Sequence, residues 1–350
     1  MKKRLISLIA LLLVLALLVA CGNNQPATTP APTPEATAPA NGGEPEPPTD
    51  APADFPGNAT ITLIVPWAPG GGSDLGARII QPHLEEYLGT TVIITNPTGA
   101  TGWLGWEQML SADPDGLTVA LVNFPALFSG YLDPTLGRTS NLDDFHFVAN
   151  HVSDKMMLVA RADDDRFATV EDFVAYATDT DILFGTTGVG TQGHMTFEII
   201  REEMGLEMTM IPFNGAADVM AALLGGHIDI ATISVGEALG PLENGEINAF
   251  ITLADERSMF LPDIRTWNEV YPEHPHTMSS QRGFALRAGT PVEIVAVWEG
   301  AFAYALNHPD AVERMTELGL YVDFMVGEEY NRVIRAFEQL VIGLAHFMGW

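Results

Sequence analysis

From residue 60 onward the chain alternates short apolar runs with longer segments in which apolar residues recur every three or four positions. "TITLIVP", from Thr60 to Pro66, reads as a strand. Leu75, Ile79, Leu84 and Leu88 put the next segment on a helix beginning near Leu75, with Ser73 or Asp74 as its N-cap. "TVIIT", "GWLGWEQMLSA" and "LTVALV" follow as strand, helix and strand. After a polar break at "RADDDRFATVEDFVAYATDT" the alternation restarts with "ILFGTT", "HMTFEIIREEM", "EMTMIPF", "AADVMAALLGG", "HIDIATIS", "VGEALGPLENG" and "INAFITLA". The pattern predicts two α/β halves whose parallel strands are joined by helical crossovers. The C-terminal stretch, from "PVEIVAVWEGAFAYALNHP" to "EEYNRVIRAFEQLVIGLAHFM", reads as helical with no strand, packing back on the first half.

The first 58 residues have a different pattern. Lys2, Lys3 and Arg4 precede an apolar run from Leu5 to Val19, too short for a comfortable membrane span, and Ala20 precedes Cys21. Residues 1–20 are therefore expected to be an export signal. Cys21 is the only cysteine, and its setting resembles the bacterial lipobox, in which the thiol carries the lipid. Residues 21–58 are rich in Pro, Ala, Thr and Glu, which favours an extended tether between lipid and folded part. The expected location is extracytoplasmic, lipid-anchored at the outer face of the cell membrane.

Charge narrows the partners. The net charge is −29, three units more negative once Lys2, Lys3 and Arg4 are removed, and Lys155 is then the only lysine. Such a surface repels phosphate backbones, so nucleic acid is excluded as a partner.

Two glycine-rich loops follow predicted strands and enter predicted helices: "PWAPGGGSD", Pro66 to Asp74, and "GTTGVGTQGH", Gly185 to His194. Ligands of open α/β sheets bind at strand carboxyl ends, and helix N-termini favour anions. Gly188, Gly190 and Gly193 spell G-x-G-x-x-G, but the next strand ends at Asn214 where a ribose-binding acid would be needed. "PGGGSDLG" lacks the Lys and Ser/Thr of a phosphate-binding P-loop. With no G-x-S-x-G elbow and no H-E-x-x-H spacing, no catalytic residue, metal site or cofactor is assigned. Asp163 to Asp165 read as a solvated turn.

"ITLIVPWAPGGGSDLGARII", "NPTGATGWLGWEQMLSADPDGLTVAL", "FGTTGVGTQGHMTFEII", "IPFNGAADVMAALLGGHIDIA", "LPDIRTWNEV" and "GFALRAGTP" together resemble the substrate-binding proteins of tripartite tricarboxylate transporters, the TctC or Bug family. The resemblance implies a periplasmic-binding-protein-like α/β fold, with two doubly wound domains, a ligand cleft between them and two chain crossings. The first crossing is expected near Met156 to Ala160 and the return near Gly283 to Leu286. Domain 1 would then comprise 59–157 and 285–350, and domain 2 residues 158–284.

The implied function is a solute receptor, not an enzyme, that captures a small carboxylate and delivers it to transporter membrane subunits. Di- or tricarboxylates, acidic amino acids and aromatic acids all fit; the chain is expected to be a monomer. A sensor lipoprotein serving a signalling partner and an exported enzyme on the same scaffold are the alternatives. Expected ligand residues are Trp67, Pro69, Gly70, Gly71, Gly72, Ser73 and Asp74 in the first loop, and Thr186, Thr187, Gly188, Thr191 and His194 in the second. Asn214, Gly215 and Ser234 complete the set. Ser73 and Asp74 serve as caps or ligands, Trp67 as ligand cover or packing, and His194 as carboxylate donor or loop cap. None of the loop segments carries Lys or Arg, so amides and hydroxyls should hold the anion with weak salt dependence.

Overall fold

The computed structural model describes residues 55–350; the export signal of residues 1–20, Cys21 and the tether up to residue 54 lie outside the described residues. β1 (Ile61–Ile64), α1 (Gly72–Leu88), β2 (Val92–Thr95), α2 (Trp103–Ser111), β3 (Thr118–Phe124) and α3 (Ala126–Leu132) come first. β1 pairs in parallel with both β2 and β3, as two crossover helices require. β4 (Phe145–Arg161) and α4 (Val170–Ala177) lead to β5 (Ile182–Thr186), α5 (Gln192–Met204), β6 (Met208–Pro212), α6 (Ala216–Leu224), β7 (Ile230–Ser234), α7 (Val235–Glu243) and β8 (Ile247–Leu253). β5 pairs in parallel with β6 and β7. α8 (Trp267–Val270), β9 (Ser279–Arg287), α9 (Val292–Asn307), α10 (Pro309–Glu317), β10 (Val322–Val326) and α11 (Gly327–Gly343) complete the order.

Both parallel trios are joined by antiparallel strands that the apolar pattern does not reveal. β4 pairs with β9 over residues 145–155, then with β7 and β8 from Met156 onward. The chain returns where Met278 donates to Leu253 and accepts from Met156, immediately before β9. Gly283 to Leu286, the expected return, lies inside β9, between β3 and β4. β10 also pairs with β4, which corrects the expectation of a C-terminal stretch without a strand. Its five residues are all half-buried, so no alternation marks it. The polar break holds α4: Thr169 and Asp172 form a capping box while Val170, Phe173 and Ala177 are buried. Asp164 is likewise not solvated; it is buried and held in two hydrogen bonds by the Arg166 side chain.

Parallel strands need cover on both faces. Ile61, Leu63 and Val65 pack with α1 and with Trp298 and Phe302 of α9. Ile64 joins Trp103 and Trp106 on the opposite face. The Trp106 and Trp298 indoles donate to the carbonyls of Leu121 and Gly116, so each buries its ring with the N–H satisfied. In the second half, Met157, Val159, Ala231 and Ile233 meet Val219 and Leu223, while Leu158, Phe184 and Ile230 face the other way. Among the described residues no helix is long and apolar enough to cross a membrane.

Candidate functional site

The first loop is held from within the helix it enters. Gly70, at φ +86°, reverses the chain, and its N–H donates to Asp74 Oδ2 at 3.0 Å. Asp74 also accepts from Arg78 Nε at 2.9 Å and Asn96 Nδ2 at 3.0 Å. Burial works to raise its pKa, but these hydrogen bonds prevail and hold the carboxyl below its ordinary value. Ser73 and Asp74 are therefore not N-caps, contrary to expectation: α1 begins at Gly72, and its cap is Gly71, which has no side chain to satisfy the first-turn amides. Ser73 Oγ accepts from Asn123 Nδ2, whose Oδ1 accepts from Trp67 Nε1 at 2.5 Å.

The second loop closes on itself. Thr191 caps α5, and its hydroxyl donates to the Gly188 carbonyl at 2.8 Å. Thr186 is fully buried beside the same carbonyl. His194 Nδ1 accepts from the Gly190 N–H at 2.9 Å, which puts the ring proton on Nε2, 3.5 Å from Glu198. Burial pushes the imidazole down to about 4, so it is neutral at physiological pH. Farther along the chain Ser234 caps α7, sharing a capping box with Glu237.

Residues from both halves enclose a cavity of about 40 Å³. Trp67, Gly71, Gly72 and Ser73 stand on one side, Thr187, Gln192, Gly215, Ala216 and Glu237 on the other, with Asn123, Ser280 and Arg282 also lining it. A space of about 220 Å³ beside Trp67 is bounded by Gly188, Asn214 and the 99–102 turn. A more apolar pocket of about 320 Å³ adjoins at Gly70, Leu75, Met220, Pro241 and Leu320.

Of the expected residues, Trp67, Gly71, Gly72, Ser73, Thr187 and Gly215 share the cavity, with Gly70, Gly188 and Asn214 in the adjoining spaces. Pro69, Asp74, Thr186, Thr191, His194 and Ser234 line none of them; the polar side chains among these are engaged in shaping loops and caps. Arg282 corrects the expectation of a site without a cationic side chain. The loops indeed lack one, but β9 delivers a buried guanidinium to the cleft. Arg282 Nη2 lies 2.6 Å from Asp154 Oδ2 and 4.0 Å from Glu237 Oε1. Burial pushes the Asp154 carboxyl up to about 6, against the opposing pull of Arg282. The available sequence signal was a single charged residue between "SSQ" and the small and apolar run "GFAL".

Loops at the strand ends of two α/β halves thus face one cleft. The profile of the tripartite tricarboxylate transporter family receptor, TctC, matches residues 76–340. The chain belongs to this receptor family. A UPF0065 protein of Bordetella pertussis is 30% identical over 275 residues, covering 78% of this chain and 84% of the relative. A solved TctC solute-binding protein from Polaromonas is 28% identical, covers 83% of this chain and 99% of its own, and superposes with a TM-score of 0.63. MatC of Rhodopseudomonas palustris, solved with bound malate, is 27% identical at a TM-score of 0.70, covering 82% and 97%. The TctC receptor described here shares their periplasmic-binding-protein-like fold, and family membership places it among extracytoplasmic solute-binding proteins.

Proposed function

We propose that this TctC receptor captures a small carboxylate in the cleft, without turnover, and delivers it to the membrane subunits of a tripartite transporter. One observation carries the reading. α1 and α6, from opposite halves, both begin with a glycine cap lacking a side chain, Gly71 and Gly215, and both glycines line the same cavity. Glu237 Oε1 takes the Gly72 N–H of α1, and the remaining first-turn N–H groups and positive dipole ends are left for an anion. Bound malate in the related MatC supports the same ligand class. Ligand contacts are assigned to Trp67, Gly71, Gly72, Ser73, Thr187 and Gly215, with Thr186, Thr191, His194 and Ser234 holding the loops in shape. The halves are read as 59–155 with 279–350, and 156–278, bounded where β4 and the segment before β9 change partners. Lipidation at Cys21 and a monomeric state complete the proposal.

A thermal-unfolding screen against malate, succinate, citrate and glutamate tests it. A ligand at 100 times its Kd stabilises by about 2.7 kcal/mol. Absence of a shift with every carboxylate, or consumption of the bound compound, overturns the reading.

A further inference from the structure

We infer that Arg282 is a charged anchor of the cleft, its guanidinium receiving a carboxylate of the solute beside the first turn of α1. The inference rests on the carboxylate reading above and adds the side chain that loop sequences alone do not supply.

Arg282 stands in β9 opposite Asn123 of β3, and its side chain is only 4% exposed. Nη2 is engaged by Asp154, whereas Nε and Nη1 are buried with no hydrogen-bond partner. Open donors on a buried cation are destabilising unless an acceptor arrives from outside the chain. Asp154 Oδ2 lies against Nη2 alone, and the other neighbouring acceptors are already engaged. Glu237 Oε2 accepts from the Ser234 N–H and Oε1 from the Gly72 N–H, so its charge is answered by two helix N-termini. Asn123 Oδ1 is held by the Trp67 indole, and Asp154 Oδ1 by the Tyr321 N–H. A Cβ on Gly72 would stand 2.7 Å from Nη1, so the glycine lets the guanidinium lie against the turn. Helix amides and a cation thereby share one wall, the chemistry that recognises a carboxylate.

Calorimetric titration of the full chain with malate, succinate, citrate and glutamate tests this, comparing Asp154→Asn with Asp154→Asn/Arg282→Gln. The double variant removes both charges of the Asp154 ion pair, while Glu237 keeps its hydrogen bonds from the Gly72 and Ser234 N–H groups, and its fold is checked by circular dichroism. The expected result is at least a tenfold weaker Kd in the double variant than in Asp154→Asn, together with a flatter dependence on salt. Equal affinities and equal salt slopes overturn the inference while leaving the carboxylate reading intact. A wild type that binds none of the four acids overturns both. If the double variant does not fold, Asp154→Leu/Arg282→Met, an apolar pair of similar volume, replaces it, and a Kd equal to that of Asp154→Asn overturns the inference. A crystal structure of the malate complex with only water at Nε and Nη1 does so as well.

Discussion

Replacing Gly72 with alanine should destabilise the protein, although the residue sits in ordinary helical backbone where alanine is normally favoured. The new methyl carbon would stand 2.7 Å from Arg282 Nη1, 3.2 Å from Nη2 and 3.1 Å from Glu237 Oε1. Helix propensity favours the change by at most about 1 kcal/mol. Overpacking of this kind costs about 1–3 kcal/mol, and separating a buried ion pair about 3–5 kcal/mol. The Arg282 and Asp154 side chains are 4% and 1% exposed, so a withdrawing guanidinium would strand a buried acid. The net loss should fall between about 1 and 4 kcal/mol, according to how far Arg282 retreats. Gly71→Ala is the control, because its Cβ meets only the Ala68 carbonyl at 3.6 Å and its φ is −77°. Urea unfolding of the two variants, compared at equal m-values, gives the answer. A Gly72→Ala midpoint at or above that of Gly71→Ala refutes the steric argument, and with it the close seating of Arg282.

Acid should unfold the receptor through its buried histidines. His151 is pushed down to about 3 and His276 to about 4, chiefly by burial, so both fold neutral. Their contribution is complete above the unfolded value near 6.5 and is lost as pH falls toward the folded values, at about 2 kcal/mol per pH unit for the pair between pH 6 and 4; His194 acts in the same direction, and Asp154, raised to about 6, opposes them. Urea stability measured across that window should fall steeply, with His276→Gln halving this part of the slope; a flat profile contradicts the assignment. Gly130→Ala should cost about 2–4 kcal/mol in thermal unfolding, since its Cβ would overlap the buried Trp103 indole. Thr191→Ala should lose about 1 kcal/mol of stability through the α5 cap, and a stability equal to wild type would show that the cap contributes nothing.

The parallel strands and crossover helices were legible because β1, β3, β5 and β7 are short apolar runs whose flanking helices repeat every three to four residues. β4 was hidden by Asn150, His151 and Asp154, polar residues that are nevertheless buried within it. The start of α1 was misplaced because a glycine cap writes no side-chain signature into the sequence. Both glycine loops run from a strand into a helix as read, yet nothing in the sequence separates Thr187, which lines the cavity, from Thr186 and Thr191, which turn toward Gly188. Arg282, Asp154 and Glu237 are far apart along the chain, and only the pairing of β4, β7 and β9 brings them together. Local periodicity carries no trace of such a meeting.

β4 runs for seventeen residues and serves both sheets without an intervening loop, with the approach to β9 bonded alongside at Met156. A connection of this kind behaves as a torsion bar. Opening the cleft must twist a paired ladder through many peptide units at once, with each dihedral changing a little. Any rotation of one half against the other would thus be shared along paired strand and not taken up at a single loop.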